Sequence, residues 1–286
     1  MKKHFLILLI LSVFSITIFA QTQKTVRVKT MEQFYKALAS NTIIELEYGV
    51  YLLDNYVAEG LVSPDGYGQN AFYIDNMSNL TIKGIGEYPS ELLVSNDELA
   101  TVMYFTECKN IRLENLEVGH GASKGSCIGA VIGLANTHGV SIKNCVLYGS
   151  GTYGIESVLQ SSGLVCENTT IRSCTYGAIS LVNMLGATFN KCTFTDNSSL
   201  DIFYISNCQD VVFNSCVIKD NTNWGLGEYA QYSVNKLFAV EGKPVVLNKC
   251  LIKFNRIDFL ANSQNSIINN NSLIEFNNYA KTMFEN

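Results

Sequence analysis

The stretch GATFNKCTFTDN at residues 186–197 recurs as DVVFNSCVIKDN at 210–221 and as PVVLNKCLIKFN at 244–255. Four further segments align with these three without gaps: NLTIKGIGE (79–87), NIRLENLEV (110–118), GVSIKNCVLYG (139–149) and GLVCENTTIRS (163–173). A degenerate copy, SIINNNSLIEFN, occupies 266–277. Successive copies begin 31, 29, 24, 23, 24, 34 and 22 residues apart, so one repeated unit builds most of the chain.

The length and the alternation of the repeat predict three short strands per unit. The shortest periods, 22 to 24 residues, leave room for three strands and three turns, and alternating apolar residues give each strand one buried face. Such units stack as coils of a parallel β-helix, with each side chain above its counterpart in the preceding coil. A leucine-rich repeat has a similar period, but its regular Leu and Asn signature is absent here.

These repeats resemble the right-handed parallel β-helix, or pectin-lyase-like, family over roughly residues 40–280. The resemblance implies an all-β, single-stranded right-handed parallel β-helix, a solenoid of about 8–9 coils. It does not imply one activity, because this fold hosts lyases, hydrolases, esterases and adhesins.

Both ends of the repeat region carry candidate caps. Residues 26–40 read VRVKTMEQFYKALAS, which predicts a strand and then an N-terminal capping helix at about 30–40, with Thr30 and Gln33 placed as a capping box. A helix there would cover backbone groups that an open solenoid end exposes. The last coil and its cover are expected at about 266–286.

The first twenty residues predict a secretory signal peptide. Lys2 and Lys3 give a basic start, Phe5 to Phe19 form an apolar run, and Ala20 offers a small residue before a cut ahead of Gln21. The run is too short for a comfortable membrane span. The sequence thus predicts a secreted, periplasmic or extracellular protein whose mature part is 21–286.

The mature chain is mildly acidic and continuous. Removal of two lysines changes the formal charge from −5 to −7, and no basic block is present. This composition argues against nucleic acid or an anionic membrane as a partner. Three prolines and the lack of a Ser/Gly-rich linker favour one domain, while the oligomeric state stays open.

Two columns of the alignment explain most of the conspicuous small residues. One column is interpreted as buried thiols in a ladder rather than disulfides, with Thr169 in one coil, and it contains Cys145, Cys192, Cys216 and Cys250. The other predicts an asparagine ladder at a tight turn, with each amide bonded to the next, and it contains Asn197, Asn221, Asn255 and Asn277.

The segment VGHGASKGSCIG at 118–129 raises the first functional hypothesis. Polygalacturonases carry a similar Gly-His-Gly-x-Ser-x-Gly-Ser stretch at their active site, which makes His120 a candidate catalytic residue. Inverting hydrolysis needs two carboxyl groups flanking the bond. The Asn-Thr-Asp, Asp-Asp and Arg-Ile-Lys motifs of that family are missing, so the resemblance does not carry its activity. A structural loop histidine is the alternative.

A second candidate catalytic residue is Glu156, which the alignment places in an otherwise apolar inward column. It is either buried with a raised pKa, as a general acid would be, or turned outward by a register slip near GSGTYG at 149–154. That glycine-rich segment matches a dinucleotide-binding pattern, but it joins two β-segments and is interpreted as a solenoid corner.

Residues facing outward just before one corner predict a cationic stripe that could contact uronate carboxylates. It runs through Tyr148, Arg172, Thr195, Lys219 and Lys253, with Arg172 as the third candidate catalytic residue. Substrate-binding roles are assigned to Tyr148 and Tyr153, and to three aromatic residues of the insertion 222–235, which suit stacking on sugars: Trp224, Tyr229 and Tyr232.

No cofactor is expected. The two histidines that follow the signal, His120 and His138, fall at different corners, which excludes a histidine-rich metal site. Asp196 and Asp220 share a column and could hold Ca²⁺, but ordinary turn residues are the favoured interpretation.

Two functional hypotheses follow. The first is a secreted protein that binds an extended, uronate-containing polysaccharide and, if it is an enzyme, cleaves it as a lyase or glycoside hydrolase. The second is a non-catalytic recognition or structural protein of the cell surface, for which an apolar outward column would provide a partner surface: Val102, Val131, Ile155, Ala178 and Ile202.

Overall fold

The computed structural model describes residues 23–58, 70–95, 100–121, 127–198, 200–222 and 235–285. Over these residues the chain winds into coils of three strands, and the coils stack through in-register parallel pairing. The nine strands of one sheet count nine coils, which confirms the predicted solenoid and its size.

Three sheets run the length of the solenoid and are named here in the order in which a coil visits them. Sheet 1 contains Lys24–Val28, Thr42–Glu47, Ser78–Ile85, Lys109–Glu114, His138–Lys143, Ser161–Glu167, Met184–Asn190, the second half of Phe203–Asn214, Val245–Asn248 and Ile267–Asn270. Sheet 2 contains Val50–Leu52, Ser90–Val94, Leu116–His120, Val146–Tyr148, Thr170–Arg172, Thr193–Thr195, Val217–Lys219, Leu251–Lys253 and Leu273–Glu275.

Sheet 3 contains Asn70–Asp75, Ala100–Thr106, Ile132–Ala135, Tyr153–Ser157, Gly177–Val182, the first half of Phe203–Asn214, Lys236–Gly242 and Phe259–Ala261. Two short strands, Arg256–Ile257 and Asn278–Tyr279, pair beside it. The first corner joins sheet 1 to sheet 2, the second joins sheet 2 to sheet 3, and the third joins sheet 3 to sheet 1. Around the strand Met184–Asn190, the third corner is Asn183, the first is Lys191–Cys192 and the second covers 196–198 and 200–202.

The interior is a set of stacked apolar columns. The alternation read from the repeats puts every second residue of each strand inside, where parallel pairing places like residues on top of one another. Phe189 and Phe213 stack with ring centroids 4.9 Å apart, and Phe203 and Phe238 stack at 4.7 Å. Phe194 meets Phe203 edge-on. Aromatic stacking therefore holds the middle coils together.

The thiol column lies at the first corner, as predicted. All nine cysteines of the chain are buried thiols. Cys216 Sγ donates to the carbonyl of Phe189 one coil below, and Cys250 Sγ does the same to Phe213. Thr169 Oγ1 makes the equivalent bond to Ile142, which explains how threonine replaces cysteine there. Burial raises the pKa of the Cys145 thiol to about 12.

The asparagine ladder lies at the second corner, where Asn197, Asn221 and Asn255 are fully buried and the terminal Asn277 is partly buried. Asn221 Nδ2 donates to Asn255 Oδ1 at 2.9 Å and to the carbonyl of Phe194 at 3.0 Å. Its own Oδ1 accepts from the backbone and side-chain nitrogens of Asn197. Asn255 continues the ladder to Asn277. Because both the donors and the acceptor of each amide are used, these polar side chains can stay inside.

The outer face of sheet 1 carries a second ladder of a different kind. Its first coils alternate charges in register, with Arg27 paired to Glu45 and Lys143 to Glu167: the column reads Arg27, Glu45, Lys83, Glu114, Lys143 and Glu167. The later coils replace charges with amides that bond directly to one another: Asn190, Asn214, Asn248 and Asn270. Each solution avoids like charges stacked on neighbouring strands.

The N-terminal cap is the helix Met31–Ala37. Thr30 Oγ1 accepts from the backbone nitrogen of Gln33, and the Gln33 side chain accepts from the backbone of Lys29, one residue before the expected partner. Phe34 is buried against Phe72, with ring centroids 5.9 Å apart. At the other end Ile267 and Ile274 are only partly buried, and Asn269 stands where the preceding coil has Leu247.

One expectation is wrong. Val102, Val131, Ile155, Ala178 and Ile202 do not face outward, because all five side chains are fully buried. They lie at or just before the start of the sheet 3 strands, where the chain enters the core from the second corner, and Ile155 pairs in register with Ile132 and Ile179. The apolar outward column offered as support for a recognition surface does not exist.

The buried ladder should matter more to stability than the exposed one. Asn221→Ala leaves the amide groups of Asn197 and Asn255 without their partners in a place that water does not reach, and we expect a loss of about 3 kcal/mol. The matched change Asn214→Ala breaks the same kind of contact on the outer face, where water can replace it, and we expect less than about 1 kcal/mol. Urea unfolding followed by circular dichroism measures both, and equal losses would contradict the argument.

Candidate functional site

The long connections of the solenoid gather at the second corner. The chain spends 149–152, 173–176, 196–198 and 200–202 there, and it also enters this corner after His120 and after Lys219, whereas the first corner uses two residues in most coils. The candidate residues Tyr148, Tyr153 and Arg172 flank this corner. Loops on a rigid scaffold are where binding residues usually lie.

The glycine-rich segment 149–154 is a corner and has no helix after it. Gly149 has φ +77°, and a Cβ on Gly151 would lie 1.2 Å from the carbonyl oxygen of Cys127. The strand Tyr153–Ser157 follows directly. These glycines are required by the close approach of two coils, which confirms the structural interpretation and leaves no helix N-terminus for a pyrophosphate.

His120 is buried and points into the solenoid. It ends the strand Leu116–His120, pairs with Val94 and is 3% exposed. Its Nε2 lies 2.7 Å from the carbonyl oxygen of Ala100. The side chain is therefore on the inner side of sheet 2, away from the outer face that a polymer can reach.

Glu156 is turned outward, as the register-slip alternative proposed. Ile155 pairs with Ile132 and Ile179 in the inward column, so the neighbouring Glu156 lies on the outer face of sheet 3, between Gly133 and Ser180. It is half-buried. The three candidate catalytic residues are therefore dispersed: His120 inside, Arg172 outside sheet 2 and Glu156 outside sheet 3.

Arg172 and Tyr148 are brought together on the outer face of sheet 2. The Arg172 guanidinium lies 4.9 Å from the centre of the Tyr148 ring, and the Tyr148 hydroxyl donates to Glu91. The ring covers Gly119, where a Cβ would come within 2.5 Å of it. Burial, with the Glu91 carboxylate beside the hydroxyl, raises the pKa of Tyr148. The phenol is held protonated and in place.

Two glutamates of this face were missed by the sequence analysis. Glu91 and Glu117 are in-register neighbours on adjacent strands, in a column continued by Val146 and Thr170. The repeat alignment could have indicated Glu117, because this acid stands where the next coil has Val146.

The predicted cationic stripe has the expected register. Tyr148, Arg172, Thr195, Lys219 and Lys253 stand one above another in sheet 2. Strand spacing makes the distance from Arg172 to Lys253 about 14 Å. The stripe is a row of positive charge on a chain of net charge −5.

A second group of titratable residues lies around the corner, on sheet 3. Burial first, and then the Asp201 and Glu156 carboxylates, raise the pKa of Tyr153. Asp201 Oδ1 accepts from the backbone nitrogen of Lys236 at 2.6 Å, and burial raises the pKa of Asp201. The Lys236 ammonium is 3.2 Å from Glu285. Asp201 lies in a corner segment outside the repeat register, so the alignment could not select it.

The possible calcium ligands are turn residues. Asp196 and Asp220 both have left-handed backbone, with φ 55° and 54°. Ser173 donates to Asp196 at 2.9 Å, and Lys219 pairs with Asp220 at 3.0 Å. In the ranges that the structure describes, no three His, Cys, Asp or Glu side chains converge as a metal site would require.

Several predicted features lie outside the described residues: the signal peptide at 1–20, and the insertion aromatics Trp224, Tyr229 and Tyr232. Among the described residues, no helix is both long and apolar enough to cross a membrane.

The comparisons agree with the fold. The family model for the right handed beta helix region matches residues 102–273, and the chain belongs to this family. A comparison with curated protein sequences finds no match.

Solved structures with the same architecture are remote in sequence. A pectate lyase from Paenibacillus sp. 0602 is 12% identical, with a TM-score of 0.60 over 91% of this chain and 79% of that one. An alginate lyase from Paenibacillus sp. str. FPU-7 is 12% identical, with a TM-score of 0.50 over 90% and 95%. A pectin methylesterase from Aspergillus niger is 13% identical, with a TM-score of 0.50 over 91% of each chain. Such likeness shows the fold alone.

The raised pKa of Asp201 predicts a pH-dependent cost to stability. When the pKa of a carboxyl is higher in the folded than in the unfolded chain, the folded state becomes less stable as pH rises between the two pKa values. For Asp201 this loss of stability begins at the ordinary pKa of 3.8 and continues upward. Asp201→Asn removes this cost and keeps an oxygen for the Lys236 nitrogen. We expect the variant to gain stability relative to the parent between pH 3.5 and pH 7, measured as the difference in urea midpoint. A difference that is the same at both pH values would contradict the assignment.

Proposed function

We propose that this protein is secreted and binds an extended, uronate-containing polysaccharide along the outer face of sheet 2. The observation that carries the proposal is the stripe of Arg172, Lys219 and Lys253, aligned in register along the solenoid axis of an acidic protein. The predicted signal peptide and the pectate lyase and alginate lyase among the structural neighbours support it.

The physical basis is a match of two linear charge patterns. A polyuronate carries a carboxylate on each sugar, and a row of cations on a rigid sheet meets several of them without the ordering cost that a flexible loop pays. Arg172 can bind a carboxylate in bidentate fashion, since its guanidinium is already held over the Tyr148 ring. The half-buried Lys219 and Lys253 provide attraction that salt screens.

Charge reversal along the stripe tests binding. For Lys219→Glu with Lys253→Glu we expect at least about tenfold weaker binding of polygalacturonate or alginate at low salt, corresponding to about 1.4 kcal/mol. The parent should also lose affinity as salt rises. Isothermal titration calorimetry measures both.

Lys191→Glu with Lys249→Glu is the matched control, because both lysines are exposed at the first corner and lie off the stripe. The control should bind as the parent does. If both double variants lose affinity equally, the attraction is general and the stripe is not the site. If the parent binds no uronate polymer, the proposal is overturned.

Cleavage is a second candidate function, favoured by the Asp201 and Glu156 carboxyls, both of which raise the pKa of Tyr153. Glycoside hydrolysis needs one protonated carboxyl to aid the leaving group and one carboxylate to activate water or attack the sugar. The raised pKa suits Asp201 to the acid role, and Glu156 would be the base. In this scheme the substrate would cross the second corner, from Arg172 and Tyr148 on sheet 2 to the carboxyl groups at sheet 3, and His120 would support sheet 2 from inside.

Product analysis tests cleavage. If the parent releases reducing ends from a uronate polymer, we expect Asp201→Asn and Glu156→Gln each to lower the rate by at least about a hundredfold with little change in binding. Asp210→Asn, an exposed aspartate at the third corner, should leave the rate unchanged. Unsaturated products would instead identify elimination, and an active Asp201→Asn variant would remove Asp201 from the mechanism.

A further inference from the structure

The second corner changes character in the last two coils. One residue of each coil adopts left-handed backbone there, and the column reads Gly149, Ser173, Asp196, Asp220, Phe254 and Phe276. Glycine, serine and aspartate are common choices for such turns, whereas a bulky aromatic residue is disfavoured at positive φ. Phe254 and Phe276, with φ 58° and 54°, therefore occupy turn positions where glycine, serine or aspartate would be less strained.

The two rings do not pack in the hydrophobic core. Phe254 is 51% and Phe276 is 69% exposed. The rings stack on each other with centroids 5.8 Å apart and planes 19° apart, so that they form a flat apolar platform on the outside of the solenoid. Strained backbone and exposed aromatic surface at the same residues point to a role outside folding.

Polar groups surround the platform. Phe254 and Phe276 line an open pocket of about 690 Å³ together with Asp220, Thr222, Arg256 and Asn278, over a floor formed by the buried amides of the asparagine ladder. The Lys253 ammonium lies 5.2 Å from the centre of the Phe254 ring. This volume is within the range of roughly 300–1,000 Å³ for small-molecule sites.

The pocket continues the stripe. Lys219 and Lys253 end their sheet 2 strands, and Asp220 and Phe254 are the next residues of the chain. A polymer lying on the lysines would therefore pass beside Phe254 at Lys253, where the row of cations ends because Glu275 stands next in register. Aromatic faces accept the C–H face of a pyranose ring, Arg256 and Lys253 suit a carboxylate, and Asp220 and Asn278 suit hydroxyl groups.

We propose that this pocket is a subsite that stacks one uronate ring of the polysaccharide on Phe254 and Phe276 and so orients the bound chain along the solenoid. The inference rests on the proposed function and adds the position and the chemistry of one sugar contact. It also explains why aromatic residues replace turn residues in these two coils alone.

The informative variant is Phe254→Asn with Phe276→Asn, because asparagine favours left-handed backbone. We expect it to unfold at the same or a higher urea concentration than the parent, and to bind trigalacturonate at least about tenfold more weakly by calorimetry. A loss of binding without a loss of stability cannot come from misfolding. Phe254→Tyr with Phe276→Tyr keeps the platform and should restore binding.

Tyr48→Ala with Tyr88→Ala is the matched control, since these exposed rings pair at 6.1 Å near the other end of the solenoid. It should bind as the parent does. If the stripe variants weaken polymer binding but the asparagine variant does not, the subsite is wrong and the proposed function stands. If the asparagine variant instead turns a dimer into a monomer by light scattering with unchanged sugar binding, the platform is a self-association surface and the inference is overturned.

Discussion

Parallel, in-register pairing between coils is the constraint on which the rest of this structure depends. It places each residue directly above its counterpart, so that a favourable contact in one coil is repeated in the next and so is an unfavourable one. The chain meets this constraint in several ways. Phenylalanines stack inside, thiols donate to carbonyls at the first corner, and asparagines bond in a buried ladder at the second. On sheet 1, charges alternate in sign and then give way to amides.

The same constraint shapes the candidate site. Because residues in register form straight columns, Arg172, Lys219 and Lys253 become a row that runs along the solenoid axis, with Thr195 between the first two. Two glycines also shape the site, because each leaves room for a tyrosine ring of a neighbouring coil. Tyr148 lies over Gly119, and Tyr153 lies against Gly177, so each ring is held flat on the sheet by the absence of a side chain one coil away. The Tyr148 ring held in this way supports the Arg172 guanidinium over its face.

The coil architecture and its ladders could be predicted from the repeats, whereas parts of the site could not. The Asn197 and Cys216 columns followed from alignment because each residue type recurs at a fixed position. Glu156 was ambiguous, since the corner before it differs in length from its neighbours and a one-residue slip moves a side chain to the opposite face. His120 looked functional by its neighbours, but strand pairing with Val94 turns it inward. Asp201 carries no repeat signal at all.

The sequence by itself determined the repeat, the number of coils, the buried ladders and the register of the cationic stripe, because these depend on local alternation and on identical neighbours. Only the tertiary structure decided which groups meet across coils and around corners. The bond from Tyr148 to Glu91 and the burial of Asp201 against Lys236 join residues 57 and 35 positions apart in the chain. Such contacts depend on how many residues each corner contains, and the corners are where the repeat is least regular.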